Sequence, residues 1–340
     1  MNKKIGMYAG KFLIPHLGHV YAMIQASTMV DELHVLVSHD EEYEKSVLFE
    51  GSKVEHVGYK QRVRWWSQIT KDMPHVHVGH IYETNDGKYE SWIAGSKQIK
   101  KVIGKPITHV FSSESAYGEY FDKLYPEAEH VIIDEDRSHY PISATKIRAE
   151  GIMSNWTMLP EEVRRSYVKK VVVVGTESCG KSELIKNLAR LYSTNYVEEH
   201  GRTFYEELGS YETFEEDFHK IAYRQKYFEE QGLKNANKVL FIDTEAIVTQ
   251  RFLGAYHDQF SYLLHEIAND QKYDLWILLK PDVEWVNDGT RVFGDTQNRL
   301  IGHQNLKELL DTLGIKYIEI GGNYHERLNA SMLCVDFLLR

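Results

Sequence analysis

Short β-branched apolar runs alternate with stretches of helical spacing from one end of the chain to the other. Ile5 to Ala9 reads as a buried strand, and from Val20 to Val30 the apolar positions 20, 23, 24, 26 and 30 share one helical face. Leu33 to Val37 is a second strand, ending in Ser38-His39-Asp40. Tyr59 to Thr70 reads as a helix carrying Arg62 and Arg64 beside Trp65 and Trp66, and Trp92 to Ile103 as another. Val76 with Val78, His109 to Phe111 and Val131 to Ile133 mark further strands. The acidic run Asp40 to Glu44 is expected to be a solvated loop without chemistry. Strands alternating with helices specify a doubly wound parallel sheet, whose ligands bind beyond the carboxyl ends of the strands. His39, Asp40, Ser112, Ser113 and Asp134 fall on that rim.

The pattern then lapses and restarts. Gly151 to Arg165, with Pro160 and mixed charge, is expected to be a connector. Val171 to Val174 is a strand, Ser182 to Tyr192 a helix, Tyr196 to Glu198 a short strand and Phe214 to Gly232 a long polar helix. Val239 to Ile242, Leu275 to Leu279 and Ile315 to Ile320 complete a second strand set. The expected fold class is therefore α/β with two doubly wound parallel-sheet domains, residues 1–158 and 159–340, the boundary lying near residue 160.

Composition narrows the classes. A net charge of -10 over 340 residues argues against a general nucleic-acid binder. The only cysteines, Cys179 and Cys334, offer neither a disulfide framework nor metal spacing. Lys3-Lys4 is followed by no uninterrupted apolar core, and no run reaches membrane-span length, so the expectation is a cytoplasmic protein without membrane insertion. The sequence leaves a homo-oligomer open.

The sharpest motif is Gly175-Thr176-Glu177-Ser178-Cys179-Gly180-Lys181-Ser182, which fits G-x-x-x-x-G-K-[ST] between a strand and a helix. Its glycines let the backbone curl around phosphate, Lys181 reaches the β- and γ-phosphates, and Ser182 can hold Mg²⁺. Asp243, at the end of an apolar strand, can present a carboxylate to Mg²⁺ or to an acceptor hydroxyl, although such an aspartate also serves as a helix cap. Glu199-His200-Gly201-Arg202 can supply a second carboxylate or be a plain polar loop. In Trp285-Val286-Asn287-Asp288-Gly289-Thr290-Arg291 a tryptophan can stack on a base, Asp288 can accept from sugar hydroxyls and Arg291 can close over phosphate.

In the first half, Gly10-Lys11-Phe12 leads into His16-Leu17-Gly18-His19 at a strand-to-helix turn, which favours phosphate ligation over a metal site. The imidazoles can donate to phosphate oxygens and take up charge as a phosphoryl bond breaks. Far downstream, Ile142-Ser143-Ala144-Thr145-Lys146-Ile147-Arg148 opens a helix with Ser143 as cap and offers Thr145 and Arg148 to the outer phosphates of a triphosphate.

H-x-G-H followed by I-S-x-T-x-x-R resembles the nucleotidylyltransferases, specifically the nicotinamide mononucleotide adenylyltransferases. With a P-loop, D-T after a strand and W-x-x-D-G-x-R behind it, the order of motifs is similar to the bifunctional NadR-type enzymes. The resemblance implies a Rossmann-like adenylyltransferase domain at the N-terminus and a P-loop ribosylnicotinamide kinase domain at the C-terminus. It implies that Gly10, Lys11, Phe12, His16, His19, Ser143, Thr145 and Arg148 bind one ATP, with His16, His19 and Arg148 catalytic. It implies that Gly175, Glu177, Ser178, Cys179, Gly180, Lys181, Ser182 and Arg291 bind the other ATP, with Lys181 and Asp243 or Glu199 catalytic. Glu199, Arg202, Asp243, Trp285 and Asp288 then hold the riboside, and Ser182 and Asp243 hold Mg²⁺. The substrates implied are ATP, nicotinamide riboside and nicotinamide mononucleotide, with NAD as product. Ile14-Pro15 departs from the family, which usually has proline two residues before the first histidine. A first strand at about Lys4 is read as leaving no room for the helix-turn-helix segment of some members, so no transcriptional role is expected. Two rivals stay open: another small-molecule nucleotidylyltransferase joined to a different kinase, and a nucleotide-sensing binding protein.

Overall fold

A computed structural model describes residues 3–283 and 296–340, which divide into two compact units, one up to Ser166 and one from Tyr167 to Arg340. In the first, strands β1 (Ile5–Gly10), β2 (Glu32–His39), β3 (Val76–Tyr82), β4 (His109–Ser112) and β5 (Glu129–Ile132) pair in parallel in the order β3-β2-β1-β4-β5. In the second, β6 (Lys169–Gly175), β7 (Tyr196–Val197), β8 (Val239–Asp243), β9 (Leu275–Leu279) and β10 (Ile318–Ile320) pair in parallel in the order β10-β9-β6-β8-β7. Each sheet thus begins on its central strand and sends the chain to either side of it, which leaves a crevice at the carboxyl end of that strand.

The apolar runs explain this layering. Val171 to Val174 have no exposed surface, as expected of a strand covered on both faces. Alternation along β1 divides the first core, Ile5 and Met7 joining Leu36, Ile99 and Val110 on one face while Tyr8 joins Val35, Trp66 and Phe111 on the other. Sheet and helices of the second unit enclose Val171, Val173, Leu184, Leu188, Phe241 and Ile277. A separate helical cluster, with Phe218, Ala246, Leu253 and Leu264, stands beside it.

An expected loop and the expected connector are both structured. The acidic run forms a short helix, Glu41–Tyr43, and a π-type turn, Glu44–Leu48. Asp40 caps that helix by accepting from the Tyr43 amide at 3.2 Å, and Glu44 is fully buried. A carboxylate can sit there only because a cation reaches it, and that cation, Arg62, comes from a later helix. The stretch 151–165 also packs: Trp156, Leu159 and Val163 are buried, and Trp65 Nε1 donates to Ser166 Oγ at 3.0 Å.

The helix Tyr59–Ile69 braces the turn that follows β1. Trp66, with no exposed surface, meets the Phe12 ring at 4.8 Å and the Tyr8 ring at 6.4 Å. Trp66→Ala should lower the stability of the first unit by about 3–5 kcal/mol. In urea, the first unit's midpoint should fall while the second unit's stays; an unmoved midpoint would show that the indole is not what holds this face together.

Candidate active sites

The turn after β1 is built from backbone that its sequence does not favour. Phe12 has φ of +49°, a left-handed conformation that costs a non-glycine residue about 1–2 kcal/mol. Its buried ring offsets that cost, wedged against Tyr8, Trp66 and His19. The helix Leu17–Met29 then starts on His16, whose Nδ1 accepts from the His19 amide at 3.3 Å, while His19 Nδ1 accepts from the His16 amide at 3.4 Å. The two rings stack with centroids 3.7 Å apart. Gly18 leaves room for this arrangement, since a Cβ there would lie 3.1 Å from His16 Nδ1 and crowd the ring.

With both Nδ1 atoms accepting, the protons of the neutral rings sit on Nε2. Burial, aided by Arg137, pushes His16 down to about 3. Burial, then His16 and Arg137, hold His19 well below the ordinary histidine range. The pair therefore presents neutral N–H donors, and positive charge comes from elsewhere. Lys11 Nζ is 2.9 Å from Glu83. Arg148 joins two motifs 135 residues apart, its Nη1 donating to the Leu13 carbonyl at 2.6 Å and its Nη2 to Thr145 Oγ1 at 3.1 Å. Ser143 caps the helix Ala144–Glu150 by accepting from the Lys146 amide. On the rim, Asp134 is engaged with Ser138 and Ser112 with His130.

In the second unit the loop after β6 curls over a buried thiol. A Cβ on Gly175 would come 2.7 Å from Cys179 Sγ and 3.0 Å from the Leu279 carbonyl. Lys181 Nζ donates to the Gly175 and Thr176 carbonyls at 3.2 and 3.1 Å. Ser182 Oγ donates to Asp243 Oδ2 at 2.6 Å, across the step from β6 to β8. Two arginines grip the outside of this loop. Arg327 is buried and donates to the carbonyls of Cys179, Gly322 and Lys280 and to Asp282. Arg299 donates to the carbonyls of Ser178 and Val283.

A cavity of about 430 Å³ runs from the loop to a wall of helices, large enough for a nucleoside. Lys181, Glu199, Arg202, Tyr205, Glu245 and Tyr256 are among its lining residues. Glu199 is pushed above the usual carboxylate range by burial, with Asp243 and Glu177 adding and Lys181 and Arg202 opposing. Burial works against charge on Lys181, but Cys179, Asp243, Glu199 and Glu177 outweigh it and hold the ammonium above its ordinary value. Burial pushes Glu245 up to about 8 although it caps the helix Ala246–His257 by accepting from the Ile247 and Val248 amides. Tyr205 Oη and Glu177 Oε2 are buried without a hydrogen-bond partner among the described residues.

The two units have counterparts in known proteins. Residues 7–150 match the cytidylyltransferase-like family and residues 170–327 the AAA domain family. The trifunctional NAD biosynthesis/regulator proteins NadR of Salmonella typhimurium (strain LT2) and Escherichia coli (strain K12) are each 30% identical over 327 residues, 94% of this chain and 79% of theirs. The chain belongs to the NadR family. A NadR protein solved in complex with NR aligns with a TM-score of 0.80 at 23% identity, over 100% of this chain and 97% of that one. A NadR protein with NAD and AMP-PNP gives 0.79 at 22%, over 99% and 96%. At such identities the solved structures show that the NadR fold is shared. This NadR-family chain thus carries a nucleotidyltransferase-type domain and a P-loop nucleotide-binding domain.

Of the sequence-predicted residues, the structure gathers Gly10 to Phe12, His16, His19 and, through Arg148, the segment from Ser143. It likewise gathers Gly175 to Ser182 with Asp243 and Glu199. Trp285, Asp288 and Arg291 lie outside the described residues. Sequence reasoning missed Arg62, Glu44, Arg137, Arg299 and Arg327, and the pocket wall with Tyr205 and Glu245. Among the described residues no group of three or more His, Cys, Asp or Glu is arranged to hold a metal by itself, and no helix is long and apolar enough to cross a membrane.

The depressed histidines make the first unit sensitive to acid. A histidine whose native pKa lies below its unfolded value of about 6.5 contributes fully above that value and loses its contribution as pH falls. For His16 the loss should reach about 2 kcal/mol near pH 5. Urea midpoints of the first unit should therefore fall between pH 7 and pH 5, and His16→Asn, which can still cap the helix, should flatten that slope. An equal slope in the variant would contradict the assignment.

Proposed function

We propose that this chain makes NAD in two steps. The second unit transfers the γ-phosphoryl group of ATP to the 5′-hydroxyl of nicotinamide riboside. The first unit then joins the resulting mononucleotide to the adenylyl group of a second ATP, releasing pyrophosphate. The observation that carries this reading is the hydrogen bond from Arg148 to the Leu13 carbonyl, which unites H-x-G-H with I-S-x-T-x-x-R, on a chain that also holds a full P-loop. The NR, NAD and AMP-PNP found in the related NadR structures, and the NAD biosynthesis named for the two relatives, support it.

In the kinase step Lys181 leaves the Gly175 and Thr176 carbonyls for the ATP phosphates, and the loop amides replace their hydration. Ser182 and Asp243 are a hydroxyl and a carboxylate already in contact, a hard oxygen set that suits Mg²⁺ once phosphate and water complete it. Bound there, the ion neutralises phosphate charge. Asp243 or Glu199 orients the riboside hydroxyl and accepts its proton; Glu199, raised by burial, is once ionised a stronger base than an ordinary carboxylate. Arg202, Trp285 and Asp288 are assigned to the riboside and Arg291 to the phosphates.

In the adenylyl step the mononucleotide phosphate attacks the α-phosphorus and the pyrophosphate oxygen leaves, with no covalent enzyme intermediate. Alignment and charge stabilisation suffice, because the attacking phosphate is already a nucleophile. His16 and His19 donate Nε2–H to phosphate oxygens, and Ser143, Thr145, Arg148 and Lys11 hold the departing pyrophosphate.

The two reactions should separate. Lys181→Ala should lower riboside phosphorylation by at least about 100-fold and leave NAD formation from mononucleotide and ATP largely intact, and His19→Ala should do the reverse. One assay supplying riboside and ATP, followed for mononucleotide and NAD, reads both. Equal damage to both reactions by either substitution would overturn the two-site assignment.

A further inference from the structure

We propose that Arg62 is a positioning residue for adenylyl transfer, acting through the backbone carbonyl of Lys11; this rests on the adenylyl-transfer reading above. Arg62 has no exposed surface and reaches the first loop through its backbone. Its Nη1 donates to the Lys11 carbonyl at 2.5 Å and to the Ser38 carbonyl at 3.4 Å, so one guanidinium ties the turn after β1 to the end of β2. Its Nη2 donates to Glu44 Oε2 at 2.7 Å. Glu44 is fully buried in turn, held also by His56 at 2.8 Å and by the Asp40 amide at 3.3 Å.

A buried ion pair is weak evidence of stabilisation, because desolvation cancels most of its attraction. What it does well is fix direction. The Lys11 carbonyl is drawn inward, and in a planar trans peptide the N–H of Phe12 must then point the opposite way, out of the loop. Phe12 is also the residue with left-handed φ, and Trp66, one helical turn beyond Arg62, packs on its ring. A single helix thus sets both the backbone and the side chain at the point where the loop turns, and with them the place from which the Lys11 side chain departs.

Arg62→Ala would strand the Glu44 carboxylate in the core and is not a fair test. The paired change Arg62→Met with Glu44→Gln removes both charges and keeps the volume, while Arg62→Lys keeps a cation for Glu44 but loses the fork. Expected for the double variant are a native near-UV spectrum and parental riboside kinase activity. Its kcat for mononucleotide adenylylation should fall about 10- to 100-fold, with little change in the KM for mononucleotide. Arg62→Lys should fall in between. A folded double variant within about twofold of the parent, or an Arg62→Lys enzyme with parental kcat, overturns the proposal. If the double variant does not fold, Arg62→Lys decides alone: reduced kcat at an unchanged melting temperature supports the proposal and parental kcat refutes it. Failure of the adenylyl-transfer reading itself would show instead in the parent, which would form no NAD from mononucleotide and ATP.

Discussion

A loop that turns its amides toward a phosphate must turn carbonyls the other way, into protein, and those carbonyls need donors. Both units meet this constraint with buried arginine. Arg62 receives the Lys11 carbonyl in the first, and Arg327 and Arg299 receive those of Cys179 and Ser178 in the second. Each guanidinium reaches more than one strand end or loop, so the loop is fixed relative to the sheet rather than merely satisfied. The fork geometry of arginine makes this feasible where a lysine could serve only as a point donor.

Buried cations need anions, and that requirement shapes the surroundings. Glu44 answers Arg62 in the first unit, and Asp282 answers Arg327 in the second. The acidic segment from Asp40 to Glu44 is thereby folded onto the back of the phosphate loop instead of standing in water. Around the second loop the sign is reversed on the open side: Lys181 faces Asp243, Glu199 and Glu177, and burial with its acidic neighbours holds Glu199 above the usual carboxylate range. Phosphate and a divalent cation together suit such a surface, where a lone anion would be opposed by the carboxylates.

Strands and loops were legible in the sequence because their signals are local. Four consecutive valines, Val171 to Val174, can only be a strand covered on both faces, and a glycine-rich turn after one declares itself without tertiary information. The limits of elements were less so: the helix expected from Val20 begins at Leu17, since His16 caps it in a way that no propensity describes, and the last strand covers only Ile318–Ile320. What escaped was set by partners remote in the chain. Glu44 looked solvated because its partner Arg62 lies 18 residues on, and Arg327 is 148 residues from the carbonyl it holds. Residues 151–165 lack periodicity because short turns, not a long helix, bury Trp156 and Val163. The histidines could be named from their spacing, but not their protonation, which burial decides.

That protonation constrains how the first site could work. The stacked rings of His16 and His19 are 3.7 Å apart, and charge on one disfavours charge on the other. The pair therefore carries one proton beyond neutrality at most, and in the free protein it carries none near pH 7. On the proposed reaction the imidazoles act first as neutral donors, whose hydrogen bonds strengthen as charge accumulates on the phosphate oxygens. Among this chain's own side chains, Arg148 and Lys11 offer full positive charge to the departing pyrophosphate, beside any Mg²⁺ that accompanies ATP, and Arg137 lies close enough to depress both histidines. Arg148 and Lys11 depend on the loop for their positions, Arg148 through the Leu13 carbonyl and Lys11 through its own backbone. Charge delivery at the front of this site is thus set by the buried arginine behind it.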